Sequence, residues 1–154
     1  MNRQIYLAAR YSRREELLTY ASRLNHIFAS LDYKVQSTWL LGSHQWDGAG
    51  EAQAAETIPP EALRFAEDDW KDVCDAEVVV CFTEEPRSTN SRGGRHVEFG
   101  IALGMGKRVY VVGHRENVFC LLPQVTFCPT WSDLIVALTM DLASPARPSP
   151  GEMK

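Results

Sequence analysis

Apolar positions along the chain switch repeatedly between a period of two and a period near 3.6, as expected of strands and helices in turn. RQIYLA at 3–8 reads as a first strand. Leu17, Leu18, Ala21, Leu24 and Phe28 then share one side of a helix ending near Leu31, with Ser12 and Glu15 spaced as a capping box at its start. YKVQSTWL at 33–40 reads as a second strand, and a helix covers roughly 60–74. AEVVVCF at 76–82 is apolar enough to be buried on both faces of a sheet. A helix from about Arg95 to Met105 follows, then a buried strand KRVYVVG, a short helix ENVFCLL, a strand QVTFC and a last helix WSDLIVALTMDLA.

This alternation predicts an α/β fold: a flavodoxin-like or Rossmann-like doubly wound sheet of five mostly parallel strands, in order 2-1-3-4-5. One domain spans 1–143, and the Pro- and Ser-rich segment 144–154 reads as a disordered tail. Such sheets bind ligands outside the carboxyl ends of their strands. The segments after Tyr6, Trp39, Phe82 and Gly113 are therefore expected around one crevice. A Gly/Ala/Gln-rich stretch at 41–59 reads as a long loop, a kind of segment that is often functional.

Composition narrows the ligand. With 154 residues, 45% of them hydrophobic, the chain can build one core. A net charge of −4 gives no footprint for nucleic acid or a membrane surface, so a small molecule fits better. The four cysteines form no CxxC pair and no zinc-ligand spacing with the four histidines, which leaves them as reduced thiols and implies neither metal nor cofactor. No signal-peptide stretch opens the sequence and no apolar run could span a bilayer, so a cytoplasmic protein is expected.

The candidate chemistry centres on SRGGRHVEFGIALGMGK. Gly93 and Gly94 let the backbone turn into a helix, placing Glu98 in its first turns, where the helix dipole favours an ionised carboxylate. Such a carboxylate is either a nucleophile for an anomeric carbon or an ordinary dipole-complementing Glu. Neither GGRH nor GMGK has the phosphate-loop spacing, and GIALGMG is not a dinucleotide fingerprint. Its small residues suit close packing of helix on sheet. Upstream, Asp68, Asp69, Asp72, Asp75 and Glu77 are mostly helix surface, but one of them reaching the crevice with a raised pKa would suit a general acid.

IYLAAR near the start, DWKDVCDAEVVVCFTE and GGRHVEFGIALGMGKRV together resemble the nucleoside 2-deoxyribosyltransferase superfamily, which includes deoxynucleoside monophosphate N-glycosidases and CMP hydrolases. The resemblance runs from about residue 3 to about residue 140. It implies that Glu98 is the nucleophile, that Tyr6 holds that carboxylate, and that Asp69 serves the leaving base, with Asp72 in its place if the register slips. It puts Ser91 near a substrate-contacting serine, one residue out of step, and His44 near a substrate-loop histidine. Trp39 is either a base-stacking platform or a buried aromatic. Where monophosphate-specific members carry a Gly/Ser-rich turn this chain reads AARYS, so Arg10 is a candidate for a 5′-phosphate. Gly94 falls in the substrate-binding turn. Cys120 sits where some relatives place a serine from a neighbouring subunit, which implies a homodimer or larger. The expected activity is cleavage or transfer at the N-glycosidic bond of a (deoxy)nucleoside or its 5′-monophosphate through a glycosyl-glutamate. A non-catalytic nucleotide-binding or sensing module on the same fold is the competing reading, which a screen for released free base separates.

Overall fold

In the computed structural model, residues 2–42, 60–86 and 93–144 are described. Five parallel strands form one sheet in the order β2-β1-β3-β4-β5, as the alternation predicts: β1 Arg3–Ala8, β2 Tyr33–Val35, β3 Val78–Phe82, β4 Arg108–Val112 and β5 Val125–Cys128. Four helices flank it: α1 Arg14–Ile27, α2 Pro60–Asp75, α3 Gly94–Gly104 and α4 Trp131–Leu142. Helices α1 and α4 meet on one face, where Tyr20 stacks on Trp131 at 4.1 Å between ring centroids. Helices α2 and α3 contact each other and β1 on the other face. No described helix is long and apolar enough to cross a membrane.

Burial explains the strand order. All five residues of β3 are buried, as its unbroken apolar run requires of a strand covered by helices on both sides. The register aligns Ile5 with Val35 and with Val78, and Val109 with Val125. Away from the ligand end, Glu77 just before β3 accepts from Arg3 Nε (2.7 Å) and from the Tyr33 hydroxyl (2.7 Å), locking the amino ends of β1, β2 and β3. At the carboxyl ends, the Thr83 hydroxyl accepts from the His114 N–H (2.6 Å) and donates to its carbonyl (2.7 Å). Gly113 beside it has φ 111°, and a Cβ there would stand 3.1 Å from Thr83 Oγ1, so this link between β3 and β4 favours glycine.

Four local readings are corrected. The second strand stops at Val35, and Thr38–Leu40 form a 3-10 turn. The Ser37 hydroxyl accepts from the Leu7 N–H at 2.8 Å and Asp72 Oδ2 accepts from the Thr38 N–H at 2.6 Å, so side chains replace ladder partners there. The Ser12–Glu15 capping box is not formed: a 3-10 turn at Tyr11–Arg13 leads into α1, whose N-cap is Arg13 with no side-chain cap bond. Arg13 instead bonds Glu16, Glu84 and the Thr83 carbonyl, and Glu15 pairs with Arg14. Helix α1 ends at Ile27, and a 3-10 turn at Ala29–Leu31 closes on Asp32 with φ 60°. The ENVFCLL helix is a 3-10 turn at Val118–Leu121, capped by the Asn117 side chain. By contrast, α4 carries a full capping box between Thr130 and Asp133.

Candidate active site

Each of three elements on the α2/α3 face supplies one group. Tyr6 lies mid-way along β1, fully buried, on the strand face opposite that of its neighbours Ile5 and Leu7. Asp69 lies on the third turn of α2, and Glu98 is the fifth residue of α3. Both helices are half-buried at these positions. The three groups act on one another. Burial pushes the Tyr6 phenol well above its ordinary range, and the charges of Glu98, Asp69 and Asp72 add to that. Burial also pushes the Glu98 carboxyl up to about 8, followed by repulsion from Asp69; the Tyr6 hydroxyl and the Arg95 charge pull it back only in part.

This corrects the expectation of an ionised Glu98. The dipole fades beyond a helix's first turn, and Glu98 is one turn further in. Desolvation and a neighbouring carboxylate win. The Tyr6 hydroxyl is near enough to Glu98 to act on its ionisation, yet among the described residues no acceptor meets it within standard hydrogen-bond geometry. Contacts of this kind are commonly loose before a substrate closes the site.

The remaining candidates separate. Asp72 is buried and committed to the Thr38 N–H, which makes it a structural cap of the turn after β2. Trp39 is 5% exposed, and its indole N–H donates to the Leu7 carbonyl at 2.8 Å, so it belongs to the core beneath the strands' carboxyl ends. Arg10, half-buried just past β1, makes no side-chain hydrogen bond or ion pair among the described residues. Gly93, with φ 84°, makes the turn into α3; Gly94 opens the helix and is exposed, with open space where a Cβ would stand. Cys120 is buried in the 3-10 turn, flanked by Val118, Phe119 and Leu121, which are 72%, 59% and 68% exposed. His44 and Ser91 lie outside the described residues.

Two residues that the sequence reading passed over stand beside the group. Arg95 is buried and ion-paired with Glu116, which is itself nearly enclosed. Glu116 Oε1 also accepts from the Glu84 N–H at 3.1 Å. Arg95 could have been found, because it sits three residues before Glu98 and so shares its helix face. Glu116, 21 residues away, carries no such local signal. A separate hollow of about 470 Å³, lined by Arg13, Tyr20, Phe82, Glu84, His114 and Trp131, opens over the carboxyl ends of β3–β5 and does not include Asp69 or Glu98.

Neither a family profile nor a curated protein sequence matches the chain. Solved structures do. The chain shares its fold with a CMP N-glycosidase and two 2-deoxyribosyltransferases. The CMP N-glycosidase BcmB of Clostridium botulinum superposes with a TM-score of 0.53 at 15% identity, over 91% of this chain and 99% of that one. The 2-deoxyribosyltransferase of Leishmania mexicana gives 0.61 at 11% identity, over 90% and 97%. That of Bacillus psychrosaccharolyticus gives 0.55 at 19% identity, over 85% and 89%. The α/β fold expected from the sequence resemblance is thus the fold of these enzymes.

Proposed function

We propose that the chain is an N-glycosidic-bond enzyme of the nucleoside 2-deoxyribosyltransferase kind, acting on a nucleoside or its 5′-monophosphate. The observation that carries this is the electrostatic coupling of Glu98, Asp69 and Tyr6 at one point of a fold shared with such enzymes. Ordinary dipole-complementing glutamates do not sit buried against a second carboxylate and a phenol.

The raised proton affinity of Glu98 has a use in this chemistry. Near neutrality the Asp69–Glu98 pair retains one proton, and the titration belongs to the pair. As substrate binds and positive charge develops at C1′, Glu98 is the carboxylate better stabilised as an anion, so the proton resides on Asp69. Glu98 then forms the bond to C1′ while the bond from C1′ to the base nitrogen breaks, and Asp69 hands its proton to the leaving base. The logic is that of retaining glycoside hydrolysis. Water attacking C1′ of the glycosyl-glutamate, with Asp69 taking its proton, completes a hydrolysis. A second base in the same place completes a transfer. Arg10, past the end of β1, suits a 5′-phosphate. The exposed apolar residues around Cys120 suit a second copy of the chain, as a homodimer or larger.

One observation favours a non-catalytic nucleotide-binding module instead: a Glu98 that holds its proton to about pH 8 is a poor nucleophile in the empty site. Incubation with a panel of nucleosides and 5′-monophosphates, with and without an acceptor base, tests both. Free base released without acceptor marks a hydrolase, exchange only with acceptor marks a transferase, and binding without either product rejects the enzyme reading.

A further inference from the structure

The buried pair Arg95–Glu116 has no part in the chemistry above, yet it stands one helical turn from Glu98. The side chains of Arg95 and Glu116 are 5% and 9% exposed. Full burial of an ion pair is costly unless the charges are also held by hydrogen bonds. Glu116 meets that condition at one of its two oxygens, Oε1, while Oε2 is buried with no hydrogen-bond partner among the described residues. Its Oε1 receives both the Arg95 guanidinium and the Glu84 N–H, and its Oε2 lies 3.7 Å from His96 Nε2. One carboxylate from the segment after β4 thereby fastens the end of β3 to the first turn of α3, a helix whose N-cap, Gly93, has no side chain to cap it. The same fastening fixes where the Arg95 charge stands relative to Glu98.

We propose that Glu116 and Arg95 act together as a positioning pair for Glu98: Glu116 holds the guanidinium one turn before Glu98 and competes with it for that charge. The proposal rests on Glu98 being the reacting carboxylate. Among the described residues, the other groups that act on Glu98 or on its neighbours come from three elements. Tyr6 comes from β1, Asp69 from α2 with Asp72 behind it acting on Tyr6, and the Cys81 thiol from β3, which burial holds largely uncharged, with Cys120 beyond it. Arg95 is the cation that acts on Glu98 among the described residues, and with the Tyr6 hydroxyl it offsets part of the repulsion from Asp69.

Competition for one charge makes the two partners act in opposite directions. Arg95→Met removes the cation, so Glu98 should give up its proton about one unit higher in pH than in the wild type. Glu116→Gln removes the competing anion from beside Arg95, so the titration should move down by roughly half a unit. Arg95→Lys, which keeps the charge, should restore most of the wild-type value. The measurement is ¹³C NMR of carboxyl-labelled Glu98 in the ligand-free protein, assigned with Glu98→Gln and run alongside thermal melts. It needs no turnover: if no substrate releases base, the enzyme reading fails while this titration still decides the positioning pair. Shifts of opposite sign support the pair. No shift, or shifts of the same sign in both variants, would overturn it and leave Arg95–Glu116 a structural fastening. Should Arg95→Met fail to fold, Glu116→Gln alone decides, an upward or absent shift counting against the proposal.

Discussion

Asp69 on α2 and Glu98 on α3 repel each other across the seam between their helices, and that repulsion, added to burial, keeps a proton on Glu98 to about pH 8. Two like charges brought together out of water share a proton before they share a site.

Activity should therefore fall with pH on its alkaline side. The proton that leaves the coupled pair near pH 8 is the one Asp69 hands to the base, so kcat/KM for base release should fall with an apparent pKa near 8. Asp69→Asn removes both the shared proton and the repelling charge, so Glu98 ionises at lower pH and the alkaline limb should be lost. The same variant should slow release most for bases that leave poorly, since those need a proton most. A pH–rate profile of both proteins on one substrate checks this, and an unmoved limb in Asp69→Asn would count against the coupling.

Glu98→Gln should lose turnover and gain stability. Losing a covalent nucleophile costs on the order of 4 kcal/mol or more in barrier height, several orders of magnitude in rate. Stability moves the other way. The folded protein holds the Glu98 proton more tightly than the unfolded chain does. That preference favours folding fully below the ordinary carboxylate range and is lost as pH rises to about 8. Glutamine stays neutral throughout, so the melting temperature of the variant should pull ahead of wild type between roughly pH 5 and 8. The gain should be about 1–3 kcal/mol once the carboxyl's partial exposure is allowed for. Thermal melts at pH 5, 7 and 9 read it directly.

Glu77→Gln should do the opposite. Glu77 is held below its ordinary carboxylate range by Arg3 and Tyr33, against the effect of its burial. Its contribution is present above the unfolded carboxylate pKa and is lost as pH falls through the depressed folded value. The variant should lose roughly 1 kcal/mol at neutral pH, the cluster being partly exposed. The deficit should shrink in acid, and the alkaline limb of activity should stay where it is, because Glu77 sits at the far end of the strands.

Val118, Phe119 and Leu121 should be covered in solution. Three large apolar side chains more than half exposed around one short turn are a surface that water disfavours. Light scattering at micromolar concentration should return a dimer or larger assembly, and Phe119→Asp should shift it toward monomer. A wild-type monomer under those conditions would count against the assembly.

The parallel sheet was legible because VVVCF and the VYVV of β4, apolar without interruption, suit strands covered on both faces. Tyr6, Asp69 and Glu98 were legible through the motifs around them. Local periodicity could not foresee where β2 ends, because Ser37 and Asp72, distant along the chain from their partners, take over the backbone bonds there. Nor could it foresee the state of Glu98. A helix position suggests a charge welcomed by the dipole; whether the carboxylate keeps that charge depends on water lost to packing and on Asp69 and Arg95 around it, quantities that exist only once α2, α3 and β1 have closed on one another. The sequence by itself determined which groups are present and which elements carry them. Tertiary structure decided their protonation and their partners, because desolvation and Coulomb energy depend on distances through space rather than along the chain.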